Sequence, residues 1–205
     1  LAIFAGTGSG HFGACIFLAS DAASFVNGHV LYVDTGAGPG TIVEILQSAS
    51  GTDGLFGKLA ELGMFAQLQV CDDQLLDLHG LLQGSQARLL IDHCGRPDVA
   101  AGVQQAGFQA LLRLADSGRA CVKLSGMQKF AAADALFEQS SAYVQALLEA
   151  FGAQACVWGS DWPFIRQPAR VDYGPLLKLA ERLMPDARLR RTVMWDTPRR
   201  LFGFA

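Results

Sequence analysis

At 205 residues, 51% hydrophobic and 17% charged, the chain has the make-up of a folded domain with a substantial core, which excludes a disordered protein. Its net charge of -3, with no long basic or acidic run, argues against a nucleic-acid partner. No apolar stretch approaches the roughly 18 uninterrupted residues of a membrane span, and "LAIFAGTGSG" offers no basic lead or cleavage site, so neither a membrane nor a signal peptide is expected.

The chain opens on "GTGSGHFG", in which Gly8, Gly10 and Gly13 form a literal G-x-G-x-x-G. A dinucleotide site needs a strand before such a loop, and a second strand ending on an acid after the helix. Asp34 lies at about the right distance but runs into glycines, so the motif is not read as a cofactor site. "FGACIFLASDAASFVNGHVLYVD" then predicts a helix, an Asn27-Gly28 turn and a strand, and "TGAGPGT" marks a boundary near residue 40.

From about residue 55 short apolar strands alternate with amphipathic helices. The strands are predicted at Phe65–Val70, Arg88–Asp92, Ala120–Leu124 and Ala155–Gly159. Helical stripes follow them: "QLLDLHGLL", then Phe108, Leu111, Leu112 and Ala115, then Tyr143, Ala146, Leu147 and Phe151, then "PLLKLAERLM". This is the pattern of βα units on a parallel sheet. The segments leaving the strands are "CDDQ", "HCGRPD", "SGMQK" and "SDWPF", rich in ionisable groups, whereas those entering are plain turns. The carboxyl ends of the strands are the working face of parallel α/β folds, so chemistry is expected there.

His93 and Arg96 share one tight turn; an imidazole there would orient a carbonyl, and a guanidinium would fork onto a carboxylate. Asp161 follows the fourth of these strands, either as a cap or as a catalytic acid. Strand alternation puts Lys123 and Ser125 on one side and Leu124 on the other, and a strand lysine calls for a carboxylate partner. Lys129 is either a second cation for an anionic substrate or a solvated loop lysine. Gln67 and Gln69 share one side of their strand, for structural bonds or substrate contact. The five cysteines contain no C-x-x-C and are read as reduced thiols, mostly buried, of a cytoplasmic protein. No H-x-H or H-E-x-x-H occurs, so no metal site is expected.

"LLIDHCGRPDVAAGVQQAGFQALLRLADSGRACVKLSGMQKF", "VWGSDWPF" and "WDTPRRLFGF" resemble the carboxyl-terminal half of the amidohydrolase-related TIM-barrel hydrolases, over about residues 55–204. The subgroup resembled is that of lactonases typified by 2-pyrone-4,6-dicarboxylate hydrolase. The resemblance implies that Asp161 activates water and His93 polarises the scissile carbonyl. It places Arg96 and Lys129 where substrate carboxylates are gripped, and Phe164 where a histidine often stands. Metal-binding relatives use an H-x-H on their first strand, absent here. "FLASDAASFVNGHVLYVDTG" resembles instead the carboxyl-terminal end of short-chain dehydrogenases, without their Tyr-x-x-x-Lys pair, so no NAD(P) binding is expected.

The expectation is an α/β chain: a partial TIM-barrel-like (β/α) sheet over residues 41–205, preceded by an extra N-terminal helix-strand segment and linker over residues 1–40, as in a fusion. Its expected site is Asp161 and His93 for catalysis, with Arg96, Lys129, Ser125 and Gln69 for substrate and no metal or cofactor. The expected partner is a small molecule, with a homo-oligomer left open. The expected activity is water attack on a lactone or related carbonyl of a small carboxylated substrate; the alternative is a truncated or fused chain keeping only half of such a site.

Overall fold

The computed structural model describes residues 4–5, 30–34, 52–164 and 170–203. Six strands form one sheet: β1 (Phe4–Ala5), β2 (Val30–Asp34), β3 (Phe65–Gln69), β4 (Arg88–Ile91), β5 (Ala120–Leu124) and β6 (Cys156–Trp158). They lie in sequence order, and every neighbouring pair is parallel. The helices are α1 (Thr52–Glu61), α2 (Gln74–Gly84), α3 (Ala106–Leu114), α4 (Leu136–Phe151), α5 (Tyr173–Leu183), α6 (Ala187–Arg191) and α7 (Thr197–Phe202). The expected helix before β2, the glycine motif and the 35–41 linker lie outside the described residues. The strand expected at "HVLYVD" is β2, which pairs with β3 along its whole length, from Val30↔Phe65 to Asp34↔Gln69. None of the described helices is long and apolar enough to cross a membrane.

Strand alternation sorts the side chains onto two faces. Leu68, Leu89, Ile91, Val122, Leu124 and Cys156 join the main core with the helices, packing against residues such as Leu78, Phe108, Leu111 and Leu147. Phe65, Leu90, Cys121 and Val157 form a separate cluster on the other face, where Leu201 and Phe202 of α7 cover them. The Phe65 and Phe202 rings lie 5.7 Å apart. This second cluster is the apolar floor of the concave side of the sheet, and α7 supplies part of it. Above the floor the same inward positions turn polar: Gln67 on β3, Asp92 after β4 and Lys123 on β5.

Cys94, Cys121 and Cys156 are buried thiols, and Cys71 is half-buried. Burial pushes the Cys94 thiol up to about 12, so it stays a small apolar filler at neutral pH.

Candidate active site

Two tight turns at the carboxyl ends of the strands shape the site. After β4, His93, Cys94 and Arg96 all adopt left-handed backbone (φ 52°, 55° and 45°), with Gly95 between them at 75°. Each non-glycine residue there costs on the order of 1–3 kcal/mol, so the surroundings must hold the turn in place. Gly95 N–H donates to the Asp92 carbonyl and Arg96 N–H to the His93 carbonyl, both at 2.8 Å. After β6, Asp161 is again left-handed (φ 67°), and its carbonyl accepts from Phe164 N–H at 2.9 Å. Backbone strain of this kind collects at functional sites.

The two turns bring His93 and Asp161 together. His93 Nε2 lies 3.5 Å from Asp161 Oδ1, and both side chains are mostly buried. Asp161 Oδ2 faces the Lys129 ammonium at 3.1 Å and accepts from Gln128 Nε2 at 3.1 Å. The far side of the imidazole, Nδ1, lies 3.0 Å from the Ser125 hydroxyl. Asp161 offers only acceptors, so the ring proton belongs on Nε2, and Nδ1 accepts from Ser125. The aspartate side chain is thus committed to this cluster rather than capping the turn that follows it.

Gly126 makes this packing geometrically feasible. It is left-handed (φ 62°), and a Cβ built on it would fall 2.5 Å from His93 Nδ1. Its turn leads directly into Met127–Lys129, which carries Gln128 and Lys129 over Asp161.

His93, Lys129 and Asp161 line a cleft of about 640 Å³ whose wall also includes Gln67, Asp92, Lys123, Ser125, Trp162 and Phe202. Gln69, expected as a substrate contact, also lines it. Arg96, the second expected anion-binding cation, is not among the lining residues. Its carbonyl accepts from Asp72 N–H, and its Nε is buried with no hydrogen-bond partner among the described residues. The carboxylate that the strand lysine calls for is Asp92, which is 2% exposed. Lys123 Nζ lies 2.9 Å from Asp92 Oδ1, and Gln67 Nε2 donates to both carboxylate oxygens at 3.0 and 2.9 Å. Asp92 and Gln128 were not singled out from the sequence. Alternation from Lys123 across the strands would have pointed to Asp92, whereas nothing local points to Gln128.

Burial holds the His93 pKa below its ordinary 6.5, with Asp92 and Asp161 opposing the shift and Lys129 and Lys123 adding to it. The ring is therefore neutral at pH 7. As pH falls below 6.5 the unfolded chain takes up a proton that the folded ring resists, so folding stability should drop between 6.5 and the lower folded value. A His93→Gln variant should lack that part of the slope when denaturant unfolding is followed across pH. An identical slope in both proteins would show that His93 does not titrate this way.

A catalytic zinc ion usually takes three protein ligands. Among the described residues no three His, Cys, Asp or Glu side chains converge. His93 and Asp161 are two donors, and the Lys129 ammonium already lies against one of the Asp161 oxygens. This donor set does not fit a transition-metal ion.

A family model described as amidohydrolase matches residues 30–204, from β2 onward. The 4-sulfomuconolactone hydrolase of Rhizobium radiobacter is 34% identical over 152 residues, which cover 73% of this chain and 50% of that protein. The L-fucono-1,5-lactonase of Burkholderia ambifaria is 37% identical over 109 residues, covering 50% of this chain and 38% of that one. A solved Pseudomonas putida structure, a candidate 2-pyrone-4,6-dicarboxylic acid hydrolase, matches with a TM-score of 0.72 at 29% identity, over 92% of this chain and 67% of the other. The chain thus spans about half or less of the length of the two curated relatives.

Proposed function

Because this chain belongs to the amidohydrolase family, we propose that its cleft performs water attack on the ring carbonyl of a small lactone carrying an anionic group. The observation that carries the reading is the position of Asp161. Its carboxylate lies at the cleft wall, with Oδ2 held by Lys129 and Gln128 and Oδ1 turned toward His93. Asp161 takes a proton from water as the water oxygen bonds to the carbonyl carbon. The ring C–O bond then breaks, and the departing ring oxygen receives that proton, giving a hydroxy acid. At 3.5 Å the His93–Asp161 contact is too long for a strong hydrogen bond, so Nε2–H is available to the carbonyl oxygen as it gains charge. The names of the two curated relatives, both lactone hydrolases, support this substrate class.

Lys129, rather than Arg96, carries the anion grip in this reading, because it is the one that lines the cleft. The expected result is that Lys129→Met raises KM for a carboxylated lactone about tenfold or more over its effect on a neutral lactone of the same ring. Steady-state kinetics on the matched pair check this, and equal losses on both would remove the grip.

A second reading, a chain keeping only part of a hydrolase site, is favoured by one observation. The described residues supply six strands, where a complete barrel closes with eight. Release of hydroxy acid from a lactone panel by the purified chain separates the two: turnover supports the first, and its absence the second.

A further inference from the structure

The cleft has two polar tiers, and only the upper one takes part in the reaction above. The lower tier, Gln67, Asp92 and Lys123, sits between the apolar floor and the His93–Asp161 pair. Its carboxylate is 2% exposed and bound by two partners, so it is a built feature and not a solvated surface pair. Lys123 is 26% exposed and lines the cleft. An ammonium has three N–H donors. One points to Asp92, and no other acceptor among the described residues takes the remaining two. Gln67 donates through Nε2 alone, and its Oε1 accepts nothing from the described residues. Toward the cleft, the tier therefore offers donors beside an acceptor, on a pair whose charges cancel.

We propose that this lower tier is a substrate subsite in which Lys123 and Gln67 receive a neutral hydroxyl oxygen on the part of the lactone ring farthest from the reacting carbonyl. A hydroxyl accepts from Lys123 while donating to Gln67 Oε1, which satisfies both groups. A carboxylate there would face the buried Asp92 carboxylate at close range, and an unsubstituted ring would leave the Lys123 donors without water or partner. The anionic group of the substrate accordingly belongs at the upper tier, with Lys129. Lys123 is then a specificity-determining residue, and Asp92 positions it. The inference rests on this cleft being the substrate site, but not on the chemistry at Asp161.

The test uses three inert six-membered lactams as probes, with a hydroxyl, a hydrogen or a carboxylate on the ring carbon farthest from the carbonyl. Binding to the purified chain is followed by calorimetry. The wild-type protein should bind the hydroxylated probe about tenfold more tightly than the unsubstituted one, as one hydrogen bond to a charged group implies. It should bind the carboxylated probe more weakly than the hydroxylated one. Lys123→Met should abolish the preference for the hydroxyl, Lys123→Arg should keep most of it, and Asp161→Asn should leave it unchanged. Should Lys123→Met fail to fold with Asp92 left alone, the double variant Asp92→Asn/Lys123→Met removes both charges and should show the same loss. A purely structural role would weaken all three probes together and leave their ratio intact. That result, a wild-type preference for the carboxylate, or no wild-type binding of any probe would overturn the proposal. A hydroxyl preference in a protein that hydrolyses no lactone would keep the subsite and reject the hydrolase reading.

Discussion

Asp161→Asn should lower lactone hydrolysis by about 10²–10⁴-fold while leaving the fold in place, the range expected when a positioned general base is lost. The amide keeps an oxygen for Lys129 and Gln128, so the cluster around it changes little in shape. What disappears is a group able to take the proton of the attacking water. The loss should fall on kcat, because substrate is held by other residues of the cleft, Lys129 in particular. A variant retaining more than a tenth of wild-type kcat would place the general base elsewhere.

Gly126→Ala should have the second largest effect, and through geometry alone. Its Cβ would meet three atoms of the His93 side chain at 2.5–3.0 Å, closer than side-chain atoms pack. Alanine also resists the left-handed backbone at this position, at a cost of about 1–2 kcal/mol before any displacement of the histidine. The imidazole must shift away from Ser125 and with it Nε2 from the reacting carbonyl. A displacement on the order of 1 Å costs roughly a hundredfold in rate. Thermal unfolding and kcat should both fall, and a further Ser125→Ala change should add little to the kinetic loss. An alanine variant of normal rate would mean that the position of His93 is not critical.

The legible part of the fold was the part written in period two and period 3.6. The strands β3 to β6 follow from apolar runs bounded by turns, and they agree with the sequence to within a residue or two at each end. The approach of His93 and Asp161 was legible because each closely follows a strand of the same parallel series, whereas Lys129, which the sequence left open as a solvated loop lysine, reaches Asp161 through the turn at Gly126. Strand alternation also put Lys123 and Ser125 on one common side, which is the side of the cleft.

What stayed hidden depends on backbone conformation that composition does not specify. Four consecutive left-handed residues from His93 to Arg96 send His93 into the cleft and Cys94 into the helix-side core, while Arg96 stays off the cleft wall. A sequence shows His93 and Arg96 three residues apart and cannot show that the turn separates them. Gln128 reaches Asp161 only through the turn at Gly126, and Phe202 reaches the floor only because α7 folds back beneath the concave side.

In the proposed reaction Asp161 directs water to the acyl carbon of a lactone. Its most direct test is hydrolysis in ¹⁸O-enriched water, with the product hydroxy acid examined by mass spectrometry. One heavy oxygen is expected in the new carboxylate and none in the new hydroxyl, at a rate that collapses in Asp161→Asn. Label in the hydroxyl, or acyl labelling that proceeds equally fast in Asp161→Asn, would contradict it.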